Sequence, residues 1–391
     1  MKFRYLVWLL IPAILIVGLP ATAAPKAGKS CNKVGITKNY KSKKFTCVFK
    51  GEKFVWNKGS KLKLDRAAPT EPSAPETGPT KPITLDNLDP KWTFKVAHKL
   101  ALDAVQPFDS SKLGIRFVIG PGVDKARVEQ EKAGIDRIAG LWSSYFIPDR
   151  VRFIYVSPQD GDWAEQLTTI EQLQSMIPPN TTLKKLITSN ECMFALGGRP
   201  LGIYTNIQCL PDRISMQNRQ TGPHEYTHFV QFYSGDLPSK AACWVVEGMA
   251  TFYGNAIGFS MDDPNGSVRN QFFSGFTYSY GAPNPTPATR AEFTETLRRG
   301  NPDEITKLMR LLEPPGCSQS TGPTTVQTGY LLGGMAFEAL VASFGQQKVV
   351  EFMKDHITTK NWKVSFANTY GISVEEFYQK LAPYFASQVN W

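Results

Sequence analysis

Histidine is scarce in this chain of 391 residues, which has four, at positions 98, 224, 228 and 356. Any site built on imidazole must use these. Long apolar runs are scarcer still. After residue 23 no segment approaches the roughly 20 apolar residues that span a bilayer, which argues against a membrane-spanning main domain. No internal repeat is present, so a solenoid or propeller is excluded. Cys31 follows the polar Gly28-Lys29-Ser30, not an apolar lipobox, which argues against a lipoprotein. Acidic residues are nearly missing from residues 25–66, where Glu52 and Asp65 face 12 Lys and 1 Arg. That segment carries +11 and residues 1–24 carry +2, so residues 67–391 hold −3 of the total of +10. The overall basicity is therefore no argument for a nucleic-acid partner. It belongs to one small head that suits an anionic cell-wall or membrane surface.

The first 23 residues read as a signal peptide: Lys2 and Arg4, an apolar stretch from Tyr5 to Leu19, then Ala21-Thr22-Ala23 as a cleavage site. A secreted or cell-surface protein is the expectation. The six cysteines then enter an oxidising compartment, and an even number favours disulfides. Six allow 15 pairings. Chain order suggests Cys31–Cys47, Cys192–Cys209 and Cys243–Cys317.

Residues 25–66 read as a small basic β module, with short apolar runs (Phe45, Val48-Phe49, Phe54-Val55-Trp56) between Lys/Gly turns. So few residues build little core, and a Cys31–Cys47 staple would offset that. Residues 67–84 are rich in Pro, Thr and Ser and read as an extended linker. The main domain is expected over 85–391. Periodicity predicts helices over 90–105, 124–145 and 163–176, strands over 115–119 and 151–156, and paired strands within 194–210. From Gly222 onward the pattern is mostly helical, over 223–234, 240–257, 303–312, 325–344, 346–357 and 373–387. A small mixed sheet followed by helices is an α+β fold.

Two of the four histidines fall in Pro223-His224-Glu225-Tyr226-Thr227-His228, an H-E-x-x-H motif. Residues four apart share a helix face, so both imidazoles can reach one ion while Glu225 can contact its water. Pro223 lacks an N–H and fits only a first helical turn, so the helix should begin near the ligands. Nineteen residues past His228 comes Glu247, within Trp244-Val245-Val246-Glu247-Gly248-Met249-Ala250. Its neighbours are apolar, and a carboxylate in a buried helix needs a cation or a donor. Two His and one Glu form a three-ligand zinc site of the catalytic type.

With these residues in place, the chain resembles the gluzincin metallopeptidases, the thermolysin- and aminopeptidase-like superfamily with a peptidase MA-like domain. H-E-x-x-H, eighteen intervening residues, then Glu in a Trp-x-x-Glu-Gly-x-Ala context carry the resemblance, which extends in topology over residues 110–350. It implies a zincin-like fold, one Zn²⁺ held by His224, His228 and Glu247, and Glu225 as general base in peptide hydrolysis. It also implies an oxyanion role for Tyr330, because Tyr330-Leu331-Leu332-Gly333 matches the Tyr-x-x-Gly that starts a later helix in aminopeptidase-type members. Two departures stand out. No Gly-x-Met-Glu-Asn stretch is present to anchor a free amino terminus, and Thr251 stands where thermolysin relatives carry an Asp that orients a ligand His. The strand near Gly202–Asn206 is expected to offer a backbone edge to an extended substrate.

Other features receive plainer readings: His98 as a core or helix-surface residue, His356 as a helix-end cation, and Asp262-Asp263-Pro264-Asn265-Gly266 as a turn. The alternative to a peptidase is a cell-surface attachment protein whose zincin-like domain is catalytically silent. An intact Glu225 speaks against silence.

Overall fold

The structure is a computed structural model. It describes residues 24–31, 37–50, 53–61, 78–109, 114–189, 192, 194–210, 220–235, 237–258, 295–314 and 323–389. The signal peptide, most of the linker, Cys317 and the Asp262–Gly266 turn lie outside the described residues. The chain divides into two compact units, Met1–Glu76 and Thr77–Trp391.

The first unit is a four-stranded antiparallel sheet of β1 (Thr37–Tyr40), β2 (Lys43–Lys50), β3 (Lys53–Trp56) and β4 (Ser60–Lys61). β2 pairs with each of the other three. Among the described residues its core is Phe45, Cys47 and Trp56, with Cys31 packed against them. A Cys31–Cys47 disulfide closes it, as the sparse core requires.

The second unit is α+β. α1 (Thr93–Asp103) precedes β5 (Ile115–Ile119), α2 (Lys125–Trp142), β6 (Val151–Val156), α3 (Gly161–Ile170) and α4 (Leu183–Ser189). β7 (Ala195–Gly198) and β8 (Tyr204–Cys209) complete a sheet of order β5-β6-β8-β7, in which only β7 runs antiparallel. β6 is buried at every position because helices cover both faces. One face packs Ile154, Val156 and Ile207 against Leu167, Leu183 and Ile187 of α3 and α4. The other packs Phe153, Tyr155 and Tyr204 into the main core with α2. Asp124 caps α2 by accepting a hydrogen bond from the Ala126 N–H at 2.8 Å. The Cys192–Cys209 disulfide ties the approach to β7 onto the end of β8.

Helices follow: α5 (Thr221–Tyr233), α6 (Leu237–Lys240), α7 (Cys243–Gly258), α8 (Pro302–Arg310), α9 (Pro323–Phe344), α10 (Gln346–Thr359), α11 (Trp362–Tyr370) and α12 (Val374–Val389). α4 and α11 were not anticipated. Ile83, expected in the linker, is buried in the main core with Leu85. His356 is fully buried, and neither ring nitrogen has a hydrogen-bond partner. Burial and the nearby Lys360 and Lys240 lower its pKa, so it is not the expected charged helix end. No described helix is long and apolar enough to cross a membrane.

The contact that fixes the helical half lies between α7 and α9. A Cβ added at Gly248 would sit 2.3 Å from the Gly333 backbone, and one added at Gly333 would sit 2.4 Å from the Trp244 carbonyl oxygen. The two helices touch backbone to backbone. Gly333→Ala has nowhere to put its methyl group and is expected to cost about 3 kcal/mol. Equilibrium chemical denaturation of the variant beside the parent reads this directly.

Candidate metal centre

α5 begins at Thr221, so Pro223 sits in its first turn and its missing N–H costs nothing. The helix is buried along Gly222, Pro223, Glu225 and Tyr226, which leaves His224 and His228 turned toward α7. α7 is apolar around Glu247, with Val245, Val246, Gly248 and Met249 all buried. The Glu247 carboxylate points at the two imidazoles.

The three donor atoms form a compact triangle. His224 Nε2 and His228 Nε2 are 3.1 Å apart, and Glu247 Oε2 is 3.4 Å from each. Among the described residues this is the one group of three His, Cys, Asp or Glu with the spacing of a metal site. Glu247 Oε2 is buried and makes no geometrically sound hydrogen bond. A tetrahedral ion with nitrogen and oxygen donors at about 2.0–2.1 Å requires donor–donor edges of about 3.3 Å. The residues therefore fit a metal ion: the edges agree, and the buried lone pair lacks another partner.

The electrostatics of the metal-free triad follow from its burial. Burial disfavours the imidazolium of His228, but the adjacent Glu247 outweighs it and pushes the pKa up to about 9. Burial would raise Glu247, yet His228 and His224 hold it well below the usual carboxylate range. A divalent cation would replace the proton that the triad otherwise keeps.

The ring orientation of His228 is also set. Its Nδ1 lies 2.8 Å from Gln231 Oε1, and Gln231 Nε2 donates to the Val246 carbonyl at 2.9 Å. The donor end of the amide is thus fixed, its oxygen accepts from Nδ1–H, and in the neutral imidazole Nε2 keeps the lone pair that faces His224 and Glu247. Gln231 bridges the metal helix to the residue before Glu247. Sequence reasoning missed it, although its signal was present: Gln three residues past the second histidine lies on the same helix face. Thr251 takes no such role, since its Oγ1 is buried without a hydrogen-bond partner.

Glu225 sits beside the triad in a pocket made by the sheet. A Cβ at Gly197 of β7 would come within 2.9 Å of Glu225 Oε2, so the absence of a side chain there makes room for the carboxylate. Asn206 on β8 lies beside it, and its side chain favours the ionised carboxylate. Burial raises the Glu225 pKa against the pull of the two histidines. Asn206, like Gln231, was not singled out from sequence as acting on a site residue.

Tyr330 joins the same site. Its ring stacks on His224 with centroids 5.6 Å apart and planes at 23°. Burial, reinforced by the nearby carboxylates of Glu247 and Glu225, pushes the pKa of its hydroxyl up, so it stays protonated and able to donate. It lies in the second turn of α9 or beyond, not at the helix start. The backbone approach of Gly333 to Gly248, one residue after Glu247, places it there.

One expectation fails. The strand at Gly202–Asn206 is not a free edge, because β8 pairs with β6 on one side and with β7 on the other. Among the described residues the sheet edge nearest the site is β7. Cys243, at the start of α7, is disulfide-bonded, and its expected partner Cys317 lies outside the described residues.

Because His228 holds a proton up to about pH 9, metal affinity should rise about tenfold per pH unit through the neutral range and level off above it. Competitive titration with a chromophoric chelator at several pH values measures the slope. Gln231→Ala should weaken metal binding by about 10–100-fold while the fold is retained, and the same titration checks it.

No family model matches the chain, and comparison with curated proteins and with solved structures likewise finds no match.

Proposed function

We propose that the protein is an exported zinc metallopeptidase of gluzincin type, with His224, His228 and Glu247 as ligands and Glu225 as general base. The observation that carries this reading is the donor triangle, with edges of 3.1, 3.4 and 3.4 Å, on which a buried carboxylate and a tyrosine hydroxyl converge. Three ligands with a fourth position left to solvent is the catalytic arrangement of zinc, whereas structural zinc sites use four. When bound, zinc supplies Lewis acidity, lowering the pKa of water from about 16 toward 7 and polarising a carbonyl.

The chain's own groups then divide the work. Glu225, beside Asn206 and with its pKa raised by burial, accepts the proton of the attacking water and returns it to the leaving amine. A raised pKa suits both halves of that transfer. Tyr330 O–H donates to the oxyanion as it develops, a contact worth about 3 kcal/mol. An extended peptide is the substrate shape that suits β7, whose outer edge runs past Gly197 beside Glu225. The disulfides Cys31–Cys47 and Cys192–Cys209, with Cys243 also disulfide-bonded, fit an oxidising compartment and support export.

Glu225→Gln removes the base but no ligand. It is expected to keep one equivalent of zinc and lose turnover of a fluorogenic peptide library by several orders of magnitude. Tyr330→Phe should lower kcat by about a hundredfold with little change in KM. Zinc-loaded parent protein that cleaves no peptide with blocked or free ends would refute the peptidase reading. Activity insensitive to a chelator would refute the metal's role.

A further inference from the structure

The basic head unit is built against itself electrostatically. Its described residues include no Asp or Glu, yet eight of its lysines are exposed: Lys26, Lys29, Lys41, Lys43, Lys44, Lys50, Lys53 and Lys58. The only acids in the segment 25–66, Glu52 and Asp65, lie outside the described residues. Strand register brings lysines together: Lys50 pairs with Lys53 across β2–β3. Neighbouring strands are about 4.8 Å apart, well inside a Debye length of about 10 Å, so these charges repel. Among its described residues the unit has a small core of Phe45, Cys47 and Trp56, with the Cys31–Cys47 disulfide, to withstand that repulsion.

The charge also lies on both faces of the sheet. Phe45 and Cys47 turn toward the small core, so Lys43, of the same parity on β2, lies on their side. Lys44 and Lys50 have the opposite parity, and Lys53, paired with Lys50, shares their side. Lys41 and Lys58 extend the charge into the turns. A planar bilayer meets one face of such a sheet and leaves the other charges unused. A flexible chain can wrap both. The cations are 12 Lys and a single Arg, compact point charges that suit phosphate, with almost none of the planar guanidinium that grips carboxylate in pairs.

We infer that the head unit is a docking module for a flexible linear polyanion of phosphate type, bound by lysines on both faces of its sheet. Binding relieves the internal repulsion and releases counterions. The inference is independent of the metal centre and stands or falls without it.

The test uses the full mature chain with long-chain inorganic polyphosphate, polyglutamate and phosphatidylglycerol vesicles as probes, followed by titration at several salt concentrations. Polyphosphate should bind most tightly, and engagement of four lysines gives a slope of log K against log salt of about −3. Two triple variants separate the geometries: Lys44→Gln with Lys50→Gln and Lys53→Gln on one face, and Lys41→Gln with Lys43→Gln and Lys58→Gln on the other face and turns. Each should weaken polyphosphate binding by about tenfold. Each should also leave the thermal transition unchanged or raised, because like-charge repulsion is removed. Polyphosphate binding that is absent or indifferent to both variants overturns the proposal. Vesicles binding more tightly than polyphosphate, with only one variant affected, overturn it in favour of a membrane. Equal binding of polyglutamate overturns the phosphate assignment.

Discussion

α7 and α9 meet without side chains between them, at Gly248 and Gly333, and the site is a consequence of that distance. Glu247 precedes one glycine and Tyr330 lies one turn before the other, so the contact that brings the backbones together also brings the tyrosine hydroxyl to the carboxylate. A methyl group at either position would separate the helices. The Glu247 oxygen would then leave the two imidazoles, because helices are rigid at this scale and side chains of this length have little reach to spare.

Around that contact the protein places three ionisable groups in a buried setting, which is costly unless each finds a partner. The sharing between His228 and Glu247 answers the cost in part, with the imidazole held protonated to about pH 9 and the carboxylate held ionised. A cation bonded to all three donors answers it more fully. The supporting groups are drawn from separate elements: Gln231 from α5 reaches across to α7, and Asn206 from the sheet lies beside Glu225. Positions set by several elements at once lose little precision to the motion of any one of them.

Much of the site was legible because its ligands are local. H-E-x-x-H fixes two imidazoles on one helix face wherever that helix goes, and Pro223 marks where it begins. Glu247 was legible from its apolar surroundings. Asn206 and the true sheet edge were not, since the order β5-β6-β8-β7 depends on which strands become neighbours, and that is decided by long-range pairing. α4 has seven residues, too few for a helical period to declare itself. α11 did carry its signals, with Asn361 accepting from the Lys363 N–H at its start and Gly371 at φ 74° past its end, but it bears no clear apolar stripe.

The sequence by itself determined what short-range chemistry can encode: two histidines and a glutamate one helical turn long, a lysine-rich head with almost no acids, and cysteines spaced for local closure. Tertiary structure alone decided that Glu247 faces the histidines, that Tyr330 lies beside Glu247, and that β7 flanks Glu225. Those three outcomes require separate segments to pack at backbone distance. Such packing depends on shape complementarity between elements far apart in the chain, which no local pattern of residues records.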